Sequence, residues 1–190
     1  MEVNAYILAG GKSSRFGSDK ASFLINGYPM IDHVSEALQI PEIKSVSIVD
    51  KFTSSESKTD HIIMDVLPDK GPLGGILTAL THSKTELNFI VSCDLPFISK
   101  EIVRSFLAQI APDHNTIISS GDRLHPLFGV YQKKYLALIE DFIANDRLKM
   151  MDFIDETGTV ILKSEDLDGY QEKSLINVNT KEELERWITK

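Results

Sequence analysis

The chain has 190 residues, of which 42% are hydrophobic and 25% are charged, and its formal net charge is −8. These values fit a single globular domain and exclude a protein that binds the backbone of nucleic acids, because such binding requires a broad basic surface. The sequence contains no run of about 18 apolar residues, no basic segment before an apolar N-terminal run, and only one cysteine, Cys93, so it predicts a cytoplasmic protein that does not cross a membrane.

Short apolar runs alternate along the chain with segments of helical period. Five runs predict strands, several of them apolar throughout and therefore buried on both faces, over Ala5–Leu8, Ser45–Val49, Ile62–Met64, Leu87–Ser92 and Thr116–Ser119. Apolar residues at helical spacing predict helices over Met30–Leu38, Leu73–Thr81, Glu101–Ile110, Tyr135–Ile143 and Leu148–Ile154. This alternation predicts a single α/β domain with three layers, in which a mostly parallel sheet lies between two layers of helices.

Two segments near the C-terminus depart from this alternation. Pro126–Tyr131 follows the turn signal Gly121–Asp122 and predicts an antiparallel strand in the C-terminal half. The segment SLINVNTKEELERW, residues 174–187, predicts a strand, a capping box formed by Thr180 and Glu183, and a closing helix.

The stretch LAGGKSSRFGSDK, residues 8–20, follows the first predicted strand directly. Ligands of open α/β sheets bind at the carboxyl ends of the strands, and the glycines at positions 10, 11 and 17 let the main chain approach a ligand and direct N–H groups at an anion. Lys12, Arg15 and Lys20 add local positive charge to an acidic chain. The combination favours a phosphate site; the alternative is a surface loop with solvated basic side chains.

The spacing of this loop excludes two common phosphate-binding motifs. A Walker A loop has four residues between its glycines and a lysine after the second one, whereas five residues separate Gly11 from Gly17 and Ser18 follows. The dinucleotide fingerprint G-x-G-x-x-G is absent as well. The loop therefore belongs to a third kind.

The same stretch resembles the signature loop L-A-G-G-x-S-x-R-x-G-x-D-K of the small nucleotidyltransferases built like GT-A glycosyltransferases, and its ending is similar in particular to the molybdenum cofactor guanylyltransferase family. Four further blocks agree in the family's order: GPLGGI (71–76), SCDLPFIS (92–99), HPLFGVY (125–131) and INVNTKEELERW (176–187). The resemblance implies one Rossmann-like, GT-A-like nucleotidyltransferase domain over residues 1–190. It implies a nucleotide-binding half at roughly 1–100 and an acceptor-binding half at 101–190.

The resemblance also implies an activity. A Mg²⁺-dependent enzyme of this family transfers GMP from GTP to the phosphate of Mo-molybdopterin and releases pyrophosphate. The nucleophile is a phosphate that is already ionised near neutral pH, so the reaction needs no general base but does need groups that neutralise phosphate charge. The implied protein partners are other molybdenum-cofactor assembly proteins and acceptor molybdoenzymes. A cytidylyltransferase or sugar-phosphate nucleotidyltransferase of the same fold, or a catalytically inactive nucleotide-binding scaffold, stays open as an alternative.

Three residues are the expected catalytic groups. Asp94 follows a buried strand and is the candidate Mg²⁺ ligand, because Mg²⁺ takes one or two carboxylates together with phosphate oxygens and water. The alternative is an Asp94 that caps the following helix, although Ser99 also fits that position. Arg15 and Lys20 are expected to neutralise the β and γ phosphates of the nucleotide.

The resemblance implies a nucleotide site made of first-loop backbone and three side chains, at Leu8, Ala9, Gly10, Gly11, Lys20, Asp65 and Asp94. The Asp65 carboxylate can accept hydrogen bonds from the N1–H and N2–H₂ groups of guanine or from ribose hydroxyls; the alternative is a turn residue at a strand end. Many family members have Asn just after the second strand, where this chain has Asp50, so a nucleotide contact at that position is left open.

The acceptor is expected to lie near Gly74, Arg123, His125, Asn177 and Asn179. Gly74 belongs to a glycine-rich helix start that lets a flat ligand approach, although tight helix–sheet packing explains it equally well. Arg123 and His125 are placed to meet the molybdopterin phosphate, and a satisfied polar residue at a strand start is the alternative for His125. Asn177 and Asn179 lie two apart on the predicted strand and so point the same way, towards substrate or metal; strand-end capping is the alternative.

Overall fold

The computed structural model describes residues 2–10, 23–51 and 61–188, which form an α/β domain. Its strands are β1 (Val3–Leu8), β2 (Leu24–Ile25), β3 (Tyr28–Pro29), β4 (Ile43–Asp50), β5 (Ile62–Met64), β6 (Leu87–Ser92), β7 (Thr116–Ser120), β8 (Arg123–Gln132) and β9 (Val160–Lys163). Its helices are α1 (Met30–Ala37), α2 (Gly71–His82), α3 (Lys100–Gln109), α4 (Leu136–Ala144), α5 (Met150–Glu156) and α6 (Lys181–Ile188). Within the described ranges, none of these helices is both long enough and apolar enough to span a bilayer.

Seven of the described strands form the main sheet, in the order β5-β4-β1-β6-β8-β7-β9. Neighbouring strands are parallel except where β8 lies between β6 and β7, antiparallel to both. The mostly parallel sheet and its antiparallel strand are therefore confirmed. The strand order reverses between β1 and β6, and ligands of open α/β sheets bind at the carboxyl ends of the strands beside such a reversal.

Alternate residues of the central strands face opposite helix layers. Ala5 and Ile7 of β1 pack in the core that includes α1 and α3, whereas Tyr6 and Leu8 pack in the core that includes α2, α4 and α5. Both β1 and β6 are buried over their full length, which explains why their sequences are mostly apolar, with Asn4, Asn88 and Ser92 as the polar exceptions. The three-layer architecture predicted from the alternation is confirmed.

The predicted helices and the five apolar strands are all present, with ends that differ by a few residues. The largest difference is at β8, which begins at Arg123 rather than at Pro126. The Ser99 hydroxyl accepts a hydrogen bond from the N–H of Ile102 at 3.3 Å, so Ser99 is the N-cap of α3. The alternative in which Asp94 caps this helix is therefore wrong.

The strand predicted before the closing helix is wrong. Within the described part of the chain, residues 176–179 belong to neither sheet. They cross the carboxyl edge of the main sheet, where the N–H of Val178 donates to the carbonyl of Asp94 at 2.9 Å. The buried Val178 side chain packs with Ile25 and Leu184 and supplies the apolar residue that makes the segment resemble a strand.

The closing helix is confirmed as α6, and its start differs slightly from a capping box. The hydroxyl of Thr180 accepts a hydrogen bond from the N–H of Glu183 at 3.1 Å, as the pattern predicts. The Glu183 carboxylate accepts from the N–H of Asn179 at 2.6 Å, one residue before the expected position. This contact fixes the backbone of Asn179 next to α6.

Candidate functional site

Two adjoining cavities lie at the carboxyl edge of the sheet. The first has a volume of about 320 Å³ and is lined by the ends of β1, β4 and β6 and by the start of α2. The second, of about 220 Å³, is lined by β8 and by residues that include Leu95 and Asn177. Pro72 and Leu127 line both cavities, so molecules bound in the two cavities would be neighbours.

A larger hollow of about 660 Å³ lies elsewhere, between α1 and the amino-terminal half of β4. It is lined largely by polar side chains, such as His33, Glu36 and Lys44, and no residue predicted for the site lines it. Because it lies away from the carboxyl ends of the parallel strands, we assign the function to the two smaller cavities.

A bulge in β8 forms the partition between the cavities. The register of β8 against β7 shifts at residues 126–128, and Leu127 of this bulge contacts both cavities. The hydroxyl of the buried Tyr131 donates to the carbonyl of Pro126 at 2.8 Å. Burial raises the pKa of Tyr131, so the hydroxyl keeps its proton and the bulge keeps this hydrogen bond.

The backbone predicted to bind the nucleotide borders the first cavity. Leu8 and Gly10 line it, while Ala9 is buried and donates its N–H to the carbonyl of Val49 at 2.9 Å. The other residues predicted in this loop lie outside the described residues, and their roles stay predictions: Gly11, Lys12, Arg15 and Lys20.

Gly75 and Gly74 have different surroundings at the start of α2. Gly75 lines the first cavity, and a Cβ atom there would lie 2.9 Å from Cδ1 of Leu8, so the helix and β1 approach more closely than a side chain permits. A Cβ atom at Gly74 would lie 2.8 Å from the carbonyl oxygen of Leu67. Packing therefore accounts for Gly74, and its contact with an acceptor stays a prediction.

Asp65 follows β5, lines the first cavity and holds the loop that precedes α2. Its Oδ1 accepts hydrogen bonds from the N–H of Leu67 at 3.1 Å and from the hydroxyl of Thr78 at 2.8 Å. The Thr78 hydroxyl oxygen accepts from the N–H of Val66 at 3.1 Å. Asp65 thus has the turn role that the sequence left as an alternative, and its contact with a nucleotide stays a prediction.

We expect Asp65→Ala to lower the free energy of unfolding by about 1 kcal/mol, because the Leu67 N–H loses its acceptor and the Thr78 hydroxyl keeps only the carbonyl of Gly74. Asp65→Asn keeps an oxygen at Oδ1, so its free energy of unfolding should fall by clearly less. Urea unfolding of both variants measures the difference. Equal stability of Asp65→Ala and the wild type would contradict the role in the loop.

Three side chains form a chain of hydrogen bonds, and two of them, Arg123 and Asn177, line the second cavity. Nη2 of Arg123 donates to Oδ1 of Asn177 at 2.8 Å, and Nδ2 of Asn177 donates to Oδ1 of Asp94 at 2.7 Å. The two bonds fix which way the Asn177 amide faces, because its oxygen accepts from a cation and its nitrogen donates to a carboxylate. The structure therefore brings together three of the predicted site residues, which come from three separate parts of the sequence.

The donor set at Asp94 fits a Mg²⁺ ion. Asp94 is partly buried, and the Asn177 amide holds its carboxylate in one orientation. Within the described ranges, no three His, Cys, Asp or Glu side chains lie together as a metal cluster. Mg²⁺ does not require such a cluster, because it binds through one or two carboxylates with phosphate oxygens and water completing its coordination.

Asn179 lies beside this chain of hydrogen bonds. Its Nδ2 donates to the carbonyl oxygen of Asn177 at 3.5 Å. Asn177 lines the second cavity, whereas Asn179 is held by Glu183 at the start of α6. The equivalent placement predicted from strand spacing is therefore wrong, because residues 176–179 are not a strand.

His125 is buried in the wall of the second cavity and is neutral at pH 7. Its pKa is lowered from the usual 6.5 to about 4, mainly by burial and then by the positive charge of Arg123, while the Asp94 carboxylate acts in the opposite direction. The cation available to an acceptor phosphate at this wall is therefore Arg123 rather than His125.

The depressed pKa of His125 predicts a pH dependence of stability. Below pH 6.5 the unfolded chain binds a proton at His125 that the folded chain does not bind until about pH 4. The stability contribution is therefore complete above pH 6.5 and is lost as the pH falls towards 4. Urea unfolding across this range should show a weaker pH dependence for His125→Gln than for the wild type. The same change at the exposed His114 is the control, and an unchanged dependence in His125→Gln would contradict the assignment.

Sequence patterns missed an ion pair in the first cavity. Lys51 directly follows β4, Asp69 precedes α2, and both line the cavity with Nζ and Oδ1 2.5 Å apart. Lys51 occupies the carboxyl end of a parallel strand, the same kind of position that identified Asp94. A search for charged residues directly after predicted parallel strands would therefore have identified Lys51.

Comparisons with known proteins place the chain among nucleotidyltransferases. The family described as MobA-like NTP transferase domain matches residues 5–160. A probable molybdenum cofactor guanylyltransferase of Flavobacterium johnsoniae is 37% identical over 183 residues, which cover 96% of this chain and 94% of that protein. The molybdenum cofactor guanylyltransferase of Vibrio cholerae is 31% identical over 94% of this chain and 87% of its own length.

A solved structure supports the fold. The molybdopterin-guanine dinucleotide biosynthesis protein A of Archaeoglobus fulgidus superposes with a TM-score of 0.80 at 23% identity, over 98% of this chain and 96% of that one. This likeness bears on the architecture, whereas the two sequence relatives and the family match bear on the family.

Proposed function

The chain belongs to the family of MobA-like NTP transferase domains, and from this premise we propose that it transfers GMP from GTP to the phosphate of Mo-molybdopterin. An oxygen of the acceptor phosphate attacks the α-phosphorus of GTP. The bond from that phosphorus to the oxygen bridging to the β-phosphate breaks, and pyrophosphate leaves. The products are molybdopterin guanine dinucleotide and pyrophosphate.

The observation that carries the proposal is the pair of adjoining cavities at the carboxyl edge of the sheet, with Asp94 hydrogen-bonded to a residue that lines the second. Ser92 lines the first cavity, Asp94 follows it by two residues, and Asn177, which donates to Asp94, lines the second cavity. Group transfer between two substrates requires that the reacting atoms lie next to each other. The cavities share Pro72 and Leu127, which supports a nucleotide in one and an acceptor in the other.

We propose the first cavity for the nucleotide and the second for the acceptor. Apart from Leu127, the lining of the first cavity comes from residues before position 100, while Arg123, His125 and Asn177 line the second. This distribution supports a nucleotide-binding half at roughly 1–100 and an acceptor-binding half at 101–190.

The nucleotidyl transfer of this family implies a divalent metal, and we propose Mg²⁺ at Asp94. When bound, Mg²⁺ neutralises charge on the transferring phosphates. Asn177 orients the Asp94 carboxylate through its amide. We assign Arg15 and Lys20 to the β and γ phosphates of GTP, and the backbone of residues 8–11 with Asp65 to the nucleoside.

The acceptor side of the site requires a cation but no base. The attacking phosphate is ionised near neutral pH, so no base has to remove a proton from it. The buried His125 has a pKa of about 4 and is therefore neutral at pH 7. The Arg123 guanidinium is a cation with five N–H donors and lies on the second cavity. We propose that Arg123 binds the acceptor phosphate, with Gly74, His125 and Asn179 near the rest of the acceptor.

We further propose that the protein works in the cytoplasm with other molybdenum-cofactor assembly proteins and acceptor molybdoenzymes. The single Cys93 is buried, and a chain with one cysteine forms no internal disulfide.

The test is calorimetric binding of GTP, CTP and ATP, each with and without Mg²⁺, followed by pyrophosphate release in the presence of molybdopterin. We expect binding of GTP in preference to the other two, strengthened by Mg²⁺, and turnover that requires both substrates. Preference for CTP would indicate a cytidylyltransferase. Binding of GTP without any pyrophosphate release would indicate an inactive nucleotide-binding scaffold.

A further inference from the structure

An ion pair crosses the mouth of the first cavity. Nζ of Lys51 and Oδ1 of Asp69 lie 2.5 Å apart, and both residues line the cavity. The Lys51 side chain is 25% exposed and its Cγ lies 3.8 Å from where a Cβ atom on Gly10 would be, so its stem is packed beside the first loop. Asp69 is 70% exposed at the outer rim. The pair therefore presents one donor and one acceptor, side by side, to whatever occupies the cavity.

The backbone at Asp69 is unusual for a residue with a side chain. Its φ of 69° lies in the left-handed region, which Asp tolerates better than most residues and which is often found at ligand contacts. The next residue, Lys70, pairs with Asp146 at 3.3 Å. Ion pairs therefore hold the loop to β4 on one side and to the turn after α4 on the other.

The chemistry of the pair matches guanine. A lysine ammonium only donates hydrogen bonds and an ionised carboxylate only accepts them. The Watson–Crick edge of guanine has the acceptor O6 directly beside the donors N1–H and N2–H₂. Adenine and cytosine have the opposite order, because an amino donor stands beside a ring nitrogen that accepts.

The neighbouring carboxylate is already engaged within the loop. Oδ1 of Asp65 accepts from the N–H of Leu67 and from the hydroxyl of Thr78. Turning Oδ1 of Asp65 towards a base would cost the loop the bond from the Leu67 N–H, while the Thr78 hydroxyl would keep the carbonyl of Gly74 at 3.0 Å as its acceptor. Asp69 makes its ion pair at an exposed rim, where such a pair contributes little to stability and is easily exchanged for bonds to a ligand.

We propose that Lys51 and Asp69 select the nucleotide: the Lys51 ammonium donates to O6 of guanine, and the Asp69 carboxylate accepts from N1–H and N2–H₂. This assignment rests on the proposed function, and it names the two residues that make the enzyme prefer guanine. Hydrogen bonds with one charged partner are the stronger kind, so each contact is a substantial part of the discrimination.

The experiment measures binding of GTP, ITP and ATP to three variants by calorimetry with Mg²⁺. ITP has O6 and N1–H but lacks the N2 amino group. Asp69→Gly removes the carboxylate and keeps a residue that adopts positive φ freely. Asp146→Gly is the matched control, because Asp146 also has positive φ and an ion pair with the same loop but does not line the cavity. Lys51→Met removes the ammonium and keeps the apolar stem.

We expect Asp69→Gly to weaken the binding of GTP by roughly tenfold or more and the binding of ITP by less. The binding of ATP should not change. Lys51→Met should weaken GTP and ITP equally and leave ATP unchanged, and Asp146→Gly should match the wild type. An equal loss of all three nucleotides in Lys51→Met would place the ammonium on phosphate and overturn the proposal. An unchanged ratio of GTP to ATP affinity in Asp69→Gly would overturn it too.

The wild-type measurement separates this inference from the proposed function. A wild type that prefers CTP, or binds none of the nucleotides, contradicts guanylyl transfer itself. A wild type that prefers GTP, with variants that keep this preference, contradicts only the assignment of Lys51 and Asp69.

Discussion

Asp94→Asn is expected to lower pyrophosphate release by roughly a thousandfold while the fold stays intact. The substitution keeps the size of the side chain and an oxygen that can accept from Nδ2 of Asn177, so the hydrogen bond observed at 2.7 Å survives. The negative charge that a Mg²⁺ ion requires is lost. The variant therefore removes the negative charge of the residue and keeps its size and its hydrogen bond.

The measurement compares turnover with saturating GTP, Mg²⁺ and molybdopterin, together with the urea midpoint of each protein. Asp113→Asn is the matched control, because Asp113 is exposed at the opposite edge of the sheet, before β7. The control should keep full activity. Turnover of Asp94→Asn within tenfold of the wild type would mean that another group holds the metal.

The fold was predictable because its central strands are short, mostly apolar runs that stand out in the sequence. A strand buried on both faces, such as β1 or β6, is apolar at most positions, and helices between such strands imply parallel pairing. The missed strand β9 is only half buried and lies at the edge of the sheet, so its sequence lacks that signal.

The hairpin of β2 and β3 was predictable but was missed. Asn26 and Gly27 have φ values of 51° and 84°, and Asn-Gly between two short apolar segments is a strong signal for a two-residue hairpin turn. Its strands have only two residues each, which is too short for a periodic pattern. Turn chemistry rather than periodicity carries the information in such elements.

The site was predictable only in part, because its contacts join distant segments. Strand ends and family blocks identified Asp94, Arg123 and Asn177 as candidates, but nothing in their spacing shows that the three side chains touch. The partition at Leu127 depends on a bulge of β8, and a register shift between two strands leaves no local pattern in either. The Lys51–Asp69 pair arises in the same way, from the ends of two separate elements.

Asn177→Ala is the second substitution with a large expected effect. It removes the amide that orients the Asp94 carboxylate, and groups that orient a metal ligand typically contribute a factor of about 10 to 100 in activity or metal affinity. We expect a loss of that size, with a higher Mg²⁺ concentration needed for half-maximal activity and partial rescue by added Mg²⁺. Asn145→Ala at the exposed end of α4 is the control. A loss that Mg²⁺ does not alter would contradict a role through the metal ligand.

Arg123 makes this prediction sharper, because it can act in two ways. Its guanidinium fixes the Asn177 amide at 2.8 Å, and it also lies where the acceptor phosphate is proposed. If Arg123 acts only through Asn177, adding Arg123→Ala to Asn177→Ala should cause no further loss. If it also binds the acceptor, the double variant should lose more than Asn177→Ala and should show a raised KM for molybdopterin but not for GTP. We expect the second result, since the hydrogen bond to Asn177 uses only one nitrogen of a group with five N–H donors.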